Sequence, residues 1–143
     1  MSIKRLAAIF SLLCPLAIFA VPADSDWVYY AKSSKSGFEI YYSKSSIKNE
    51  GTLTTVKILK NFKNPQEFTA EQPYFKFLSS VETQVINCDK KIYRGSRTEK
   101  WTEQWGMGAL GKAYDYSQKK KNDWSEPVKS AQIEGSLIDK VCH

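Results

Sequence analysis

The stretch YFKFLSSVETQVINC, residues 74–88, decides the fold that this sequence predicts. Phe77, Val81 and Val85 share one parity along this stretch, whereas polar residues such as Gln84 occupy the other. Alternation with a period of two residues is typical of a strand with one buried side and one solvent-facing side in an antiparallel sheet. The sequence therefore predicts a long antiparallel strand here.

Further stretches on both sides of this strand are short and rich in aromatic or β-branched residues, as strands are. They are residues 26–32, 38–42, 52–62, 90–105 and 112–118. The proline-flanked stretch 64–73 is predicted to form an exposed loop. The predicted fold class is α+β, mainly β, with a single antiparallel sheet of about five to six strands and a short C-terminal helix.

The C-terminal residues carry the helical pattern. Ser136 and Asp139 match the capping pattern in which an acid follows a hydroxyl after three residues, so the helix is predicted to begin at Ser136. Leu137 and Val141 are four residues apart and therefore share one helical face. Because a helix this short is unstable alone, it must pack against the sheet.

Two cysteines, Cys88 and Cys142, remain in the chain that follows the N-terminal segment. In an oxidising compartment they have one intramolecular pairing, which would fasten the helix to the long strand. The bond would close the loop from Cys88 to Cys142, and the chain-entropy model gives the folded state about 4 kcal/mol of stabilisation for a loop of this length. Two buried thiols, or a bridge between two chains, are the alternatives.

The N-terminus has the features of a secretory signal peptide. Lys4 and Arg5 precede an uncharged run, residues 6–21, which is shorter than the roughly 20 apolar residues of a membrane-spanning helix. Small residues follow, and cleavage is expected after Ala23, with Ala20 as the alternative. The sequence therefore predicts export to the periplasm, the cell surface or the medium.

A signal peptide of residues 1–23 leaves residues 24–143 as one domain without a membrane span. The net charge of +6 includes Lys4 and Arg5, so the mature chain has 19 basic and 15 acidic residues, a net charge of +4. No dense basic stripe accompanies this mild excess. Nucleic acid is therefore not an expected partner.

A glycine motif in the stretch WGMGALGKAYDY, residues 105–116, has the spacing of a nucleotide-binding loop. Gly106, Gly108 and Gly111 spell G-x-G-x-x-G. Such loops need a buried parallel strand before them and a helix after them, but both flanking segments alternate like exposed strands. The motif instead predicts a hairpin connection in which positive φ angles are needed, and no cofactor.

Catalytic and metal-binding patterns are also missing from the sequence. The single histidine is His143, the last residue, so a Ser-His-Asp or Cys-His arrangement is not expected. With Cys88 and Cys142 it would supply three scattered metal ligands. The acidic pair Asp115 and Asp123 has no context that distinguishes it from solvated loop charges. The sequence predicts a protein that is not an enzyme and holds no metal.

Several segments, taken in order, resemble the surface-adhesin protein E family of exported bacterial proteins. The segments are DWVYY (26–30), YYSKSSI (41–47), VETQVINC (81–88), MGALG (107–111), WSEP (124–127) and GSLIDKVC (135–142). The resemblance runs from about Asp26 to Cys142, nearly the whole mature chain.

The resemblance implies an antiparallel sheet with a C-terminal helix tethered by the Cys88–Cys142 disulfide. It also implies an outer-surface protein that binds host matrix and serum proteins such as vitronectin and laminin, and that can form a homodimer. The characterised adhesin is lipid-anchored, whereas Leu12 and Leu13 precede Cys14 here and give it no lipidation context. The anchor is therefore not carried over.

Function is accordingly predicted to be that of an adhesin-like, non-enzymatic protein-binding module. The alternative is a periplasmic housekeeping or inhibitor protein that shares only the fold. For acidic or glycosylated partners, the predicted binding residues are Lys119, Lys120 and Lys121, together with the aromatic residues Tyr114, Tyr116 and Trp124. Arg94, Arg97 and Lys100 form a second predicted row. A solubilising loop and core packing are the competing explanations for these lysines and aromatic residues.

Overall fold

A computed structural model describes residues 25–34, 36–118, 123–129 and 132–142. The predicted signal peptide, residues 1–23, lies outside the described residues, as do Lys119, Lys120, Lys121 and His143.

The described chain forms one antiparallel sheet and one α-helix, which confirms the predicted fold class. The strands are β1 (Trp27–Lys32), β2 (Phe38–Ser43), β3 (Lys48–Glu50), β4 (Leu53–Phe68), β5 (Phe75–Asn87), β6 (Ile92–Trp101) and β7 (Leu110–Asp115). The helices are the 3-10 turn Gln104–Gly106 and α1 (Ile133–Val141). Six strands follow the order β1-β2-β4-β5-β6-β7, and the short β3 pairs with β4.

The centre of the sheet is the pairing of β4 with β5, the two longest strands. Their register runs from Leu53 opposite Asn87 to Phe68 opposite Phe75, with one irregularity between Asn61 and Gln66. The predicted loop over residues 64–73 is therefore wrong in its first part, because β4 continues to Phe68. An irregularity in the ladder accommodates Pro65, which has no N–H to donate.

Both faces of the sheet are covered, whereas the alternation in β5 predicts one solvent-facing side. Gln84 and Ile86 belong to that side, yet they are 6% and 0% exposed. Helix α1 packs over this side, which we call the helix face. On the opposite side, the loop face, Val81 packs against a cluster that contains Trp105. The side of β5 that is predicted to face solvent is therefore covered by the helix, and the other side is covered by the Trp105 cluster.

The core on the helix face joins the helix to three strands. Val56, Ile58 and Ile86 from the central strands are at most 1% exposed, and Leu137, Ile138 and Val141 from α1 are at most 2% exposed. Burying an aliphatic side chain of this size contributes about 1.5–3 kcal/mol. The predicted apolar face of the helix, with Leu137 and Val141, is confirmed.

The predicted start of the helix at Ser136 is wrong. Helix α1 begins at Ile133, and its N-cap residue Gln132 makes no side-chain capping hydrogen bond. The Ser136 N–H already donates to the Gln132 carbonyl within the first turn. Ile133 packs against the core, so tertiary contact extends the helix by a turn that the capping pattern does not include.

The predicted disulfide joins Cys88 to Cys142. Cys88 follows the last residue of β5, and Cys142 follows the last residue of α1. Both cysteines pack against the helix-face core. The bond therefore fastens the end of the helix beside the strand whose side chains it covers.

Replacing both Cys88 and Cys142 with serine should lower the free energy of unfolding by about 4 kcal/mol, because the open chain gains loop entropy in the unfolded state. For a domain of this size, the melting temperature should fall by about 10–20 °C in scanning calorimetry. The unreduced mature chain, which lacks Cys14, should take up no alkylating reagent. Equal melting temperatures with and without reductant would contradict this stabilising role.

Candidate functional site

The predicted row of Arg94, Arg97 and Lys100 is divided between the two faces of the sheet. Residues that pair across antiparallel strands point to the same face. Arg97 pairs with Thr83 and Lys100 pairs with Ser80, residues of opposite parity in β5. Arg94 pairs with Val85, which has the parity of Thr83, so the register shift between Arg94 and Arg97 brings both arginines to one face. The two arginines therefore lie on the loop face, and Lys100 lies on the helix face.

The two arginines are engaged by neighbouring side chains. The Arg97 Nε donates to Glu99 Oε1 at 2.8 Å. The Arg94 guanidinium lies 5.3 Å from the centre of the Trp124 ring, within the range of a cation–π contact. Trp124 is thereby placed beside Arg94, apart from the tyrosines with which the sequence grouped it.

Tyr114 and Tyr116 lie near the end of β7. Their rings are parallel within 4°, with centres 6.0 Å apart. Tyr114 pairs with Thr98 of β6, which places it on the helix face beyond the helix. Because the three predicted lysines after Tyr116 lie outside the described residues, their grouping with this pair stays a prediction.

A continuous row of aromatic rings crosses the helix face. We call it the aromatic surface, and its members are Phe62, Phe68, Phe75, Phe77, Tyr114 and Tyr116. Phe77 belongs to it through its contacts with Phe62 and Lys100, although it shares the parity of Val81, because alternation is not maintained at this irregular end of the β4–β5 ladder. Successive rings, from Phe62 through Phe77, Phe75, Phe68 and Tyr114 to Tyr116, have centres 5.2–6.2 Å apart. All except the buried Phe77 are partly exposed. This end of the sheet therefore presents apolar ring surface to solvent.

Lys100 lies directly on the aromatic surface. Its Nζ is 4.3 Å from the centre of the Phe77 ring and 5.7 Å from that of Phe68. Burial lowers the pKa of the Lys100 ammonium from its ordinary value, the nearby charge of Lys60 lowers it further, and Glu82 opposes the change. Within the part of the chain that the structure describes, Lys100 has no ion-pair partner.

Two more lysines lie in line with Lys100. Lys60 of β4 pairs with Ser80 of β5, Ser80 pairs with Lys100 of β6, and Lys100 pairs with Lys112 of β7. One register line across four adjacent strands thus carries three lysines on one face. We call Lys60, Lys100 and Lys112 the lysine row.

Glutamates neutralise the two ends of the lysine row. Lys60 Nζ is 3.4 Å from Glu82 Oε2, and Lys112 Nζ is 2.6 Å from Glu71 Oε2. The side chains of Lys60 and Lys112 remain 36% and 37% exposed. Three lysines and two glutamates leave one excess positive charge, which lies in the middle of the row.

The opposite face carries a turn that the sequence pattern does not predict. Residues 90–105 suggest one strand, but β6 ends at Trp101 and Trp105 adopts a φ of 65°. The Trp105 N–H donates to Asn61 Oδ1 at 3.0 Å, and the Gly106 N–H donates to Ser79 Oγ at 2.9 Å. The Ser79 hydroxyl donates in turn to the Glu103 carbonyl. Buried polar groups of the central strands thus hold this turn in an otherwise unfavourable conformation.

Trp105 covers the loop face of the sheet. Its ring lies 4.9 Å from that of Tyr41 and packs with the fully buried Leu59. An open cleft of about 390 Å³ lies beside it, and Leu78 and Met107 are among its lining residues. The signal in the sequence that could have located this turn is the pair of glycines, Gly106 and Gly108, after Trp105.

Gly106 and Gly108 lie in the connection between the antiparallel strands β6 and β7, as predicted, whereas Gly111 lies within β7. Gly106 and Gly108 have φ values of 70° and 77°, which other residues rarely adopt. Gly111 serves a different purpose, because a side chain at that position would overlap the Phe75 ring. Strand β7 follows Gly106 and Gly108 and includes Gly111, so a strand stands where a phosphate-binding loop requires a helix.

Clusters of metal-ligating side chains do not occur in residues 25–34, 36–118, 123–129 and 132–142. No helix among these residues is long and apolar enough to cross a membrane. A further open groove of about 470 Å³ lies beside the disulfide, with Thr54, Lys91 and Asp139 among its lining residues.

These features define a class of domain in which a short C-terminal helix is tethered by a disulfide to a small antiparallel sheet. The sequence profile of the family described as surface-adhesin protein E matches residues 27–143. The chain belongs to the surface-adhesin protein E family. This match confirms the resemblance found in the sequence.

Solved structures of Haemophilus influenzae protein E have the same fold. A selenomethionine form shares 16% identity with a TM-score of 0.58, over 82% of this chain and 86% of that chain. A second crystal form shares 17% identity with a TM-score of 0.57, over 80% of this chain and 95% of that chain. A search of curated protein sequences found no match.

Replacing Ser79 with alanine should lower the free energy of unfolding by about 1–3 kcal/mol, because the turn loses both hydrogen bonds of a fully buried hydroxyl. The matched control is Ser80→Ala on the opposite face, where the hydroxyl makes no hydrogen bond within the described residues. That change should cost about 1 kcal/mol or less. Urea unfolding measures both, and equal costs would show that the Ser79 hydroxyl does not hold the turn.

Proposed function

We propose that this chain is an exported, non-enzymatic adhesin-like module that binds proteins of the host extracellular matrix or serum. The observation that carries the proposal is the match of the surface-adhesin protein E family over residues 27–143. The solved protein E structures share the fold at low identity, so they support the architecture and leave the partner to be identified.

Surface chemistry supports a binding role. Half-exposed aromatic rings are unusually effective contact groups, because each buries a large area with few rotatable bonds. The aromatic surface presents several such rings in one row, with lysines beside them. A partner with acidic and apolar groups would find both complements on the helix face.

The non-enzymatic part of the proposal rests on the residue inventory. The chain has one histidine, at position 143, so the general-base arrangements that depend on histidine have no obvious place within the domain. Export and cleavage of residues 1–23 are parts of the same proposal, as is the homodimer that the resemblance implies. Sedimentation analysis of the mature chain would test that dimer.

Partner-binding residues are proposed in two groups. The first is Lys119, Lys120 and Lys121, which follow the parallel tyrosines in the sequence. The second comprises Arg94, Arg97 and Lys100, which act on separate faces since the row is divided. A partner that contacts only one face would use Lys100 or the arginines, but not all three.

Reversing Lys119, Lys120 and Lys121 to glutamate should weaken binding of the mature domain to immobilised vitronectin or laminin. Attraction to an acidic partner is lost, and the remaining binding should depend less on salt. Surface plasmon resonance at two salt concentrations measures both effects. The matched control reverses the exposed residues Lys44, Lys48 and Lys57. Equal losses in the two triple variants would remove Lys119–Lys121 from the proposed site.

Cell-surface display is tested separately from affinity. Protease treatment of intact cells, followed by peptide detection, should release peptides of the mature domain while a periplasmic marker stays intact. Release only after the outer membrane is permeabilised would favour the alternative, a periplasmic housekeeping or inhibitor protein. A protein confined to the periplasm would not meet vitronectin or laminin, even if the purified domain binds them in solution.

A further inference from the structure

The lysine row together with the aromatic surface forms a site with a chemistry of its own. We infer that this site binds a linear sulfated polysaccharide, with sulfate groups along the lysine row and sugar rings against the exposed aromatic side chains. This inference does not depend on a host protein partner, because it rests on the register of β4, β5, β6 and β7.

Charge is the first argument. Lys100 is a half-buried cation that has two aromatic rings as neighbours and no carboxylate partner within the described residues. A cation that is partly shielded from bulk water attracts an approaching anion more strongly than an exposed cation does, because the low local dielectric screens the pair weakly. The Lys112–Glu71 pair lies at the surface, with side chains 37% and 50% exposed, and such exposed pairs are weak enough for a polyanion to replace. The Lys60–Glu82 pair is more buried, because the Glu82 side chain is 19% exposed.

Spacing is the second argument. Neighbouring strands lie about 4.8 Å apart, so the row from β4 to β7 spans about 14 Å in a nearly straight line. The positions of Lys60, Lys100 and Lys112 along this line leave one gap, filled by Ser80 of β5. A chain with regularly spaced anionic groups could therefore cross the strands and meet several ammonium groups at once.

The aromatic rings supply the third argument. Lys112 Nζ lies 5.6 Å from the centre of the Tyr114 ring, and Lys100 Nζ lies near Phe68 and Phe77. A sulfated sugar has an apolar C–H face close to its charged substituents. The C–H face can pack against an aromatic ring while the sulfate contacts the adjacent ammonium group. A free inorganic anion would use the lysines and leave the rings without a role.

A sheet face favours a polysaccharide over an acidic peptide. The backbone N–H and C=O groups of these strands are directed along the sheet into the ladders with their neighbours. A peptide that crosses this face would bury its own backbone groups without backbone partners. A sugar chain has no amide backbone to satisfy, and its hydroxyl groups can keep their water.

The test measures binding of the disulfide-intact mature chain to a size-fractionated heparin oligosaccharide by titration calorimetry. Lys100→Met keeps the apolar stem on the rings and removes the charge, so it should weaken binding about tenfold, as expected for one charge-assisted hydrogen bond. The matched control Lys57→Met removes an exposed charge on the loop face, since Lys57 pairs with Thr83. It should change the affinity about twofold or less.

A second pair of variants tests the direction of the charge effect. Glu82→Gln frees Lys60 and should strengthen binding, because Lys60 then has no competing carboxylate. Glu99→Gln makes the same change of charge on the loop face, where Glu99 pairs with Arg97. The two glutamate side chains are similarly exposed, at 19% and 23%. Glu99→Gln should therefore leave the affinity nearly unchanged.

Two comparison ligands separate the partners. The same oligosaccharide after desulfation should bind at least about tenfold more weakly, since it lacks the anions that the row would hold. A polyglutamate peptide that binds as tightly as the sulfated oligosaccharide would overturn the inference in favour of an acidic protein segment. Equal losses of affinity in Lys100→Met and Lys57→Met, with unchanged melting temperatures, would show that the binding is non-specific charge attraction. That result would also overturn the inference. No measurable binding of the sulfated oligosaccharide would overturn it outright.

Discussion

The antiparallel pairing of β4 with β5 is the constraint on which the rest of the structure depends. Leu53 through Asn61 meet Asn87 through Ser79 without interruption. Because side chains alternate along paired strands, this register sends Val56, Ile58 and Ile86 to one face and Leu59 and Val81 to the other. A shift by one residue would exchange the two sets. The helix and the Trp105 turn can cover their respective faces only in this register.

Each face is then closed by a different kind of interaction. On the helix face, aliphatic side chains of α1 exclude water, and the disulfide between Cys88 and Cys142 keeps the short helix in place. On the loop face, Asn61 and Ser79 use hydrogen bonds to hold the turn around Trp105, whose ring completes the apolar cover. Hydrophobic burial is not directional, so the polar contacts are what fix the orientation of that turn.

The part of the helix face that α1 does not cover is where binding chemistry collects. Ile58 belongs to the helix-face core, and further along β4 lie Lys60 of the lysine row and Phe62 of the aromatic surface. Half-buried rings stabilise this end of the sheet through mutual contact, while their exposed parts remain available to a ligand. The chain belongs to the surface-adhesin protein E family, and this end of the sheet is the surface that we propose for ligand binding.

The sequence by itself determined the strand-rich fold class, the short C-terminal helix, the turn at Gly106 and Gly108, and the one intramolecular pairing open to Cys88 and Cys142. These depend on local periodicity, backbone freedom and the count of cysteines. Tertiary structure alone decided that Arg94 lies on the same face as Arg97 and opposite Lys100, since one irregularity in β6 between Gly95 and Arg97 breaks the alternation. It also decided the start of α1 at Ile133 and the position of Trp105 outside its strand.

Lys60, Lys100 and Lys112 lie 40 and 12 residues apart in the chain, and only the pairing of four strands brings them into one row. No local pattern encodes the register between distant strands, which is set by the packing of both faces together.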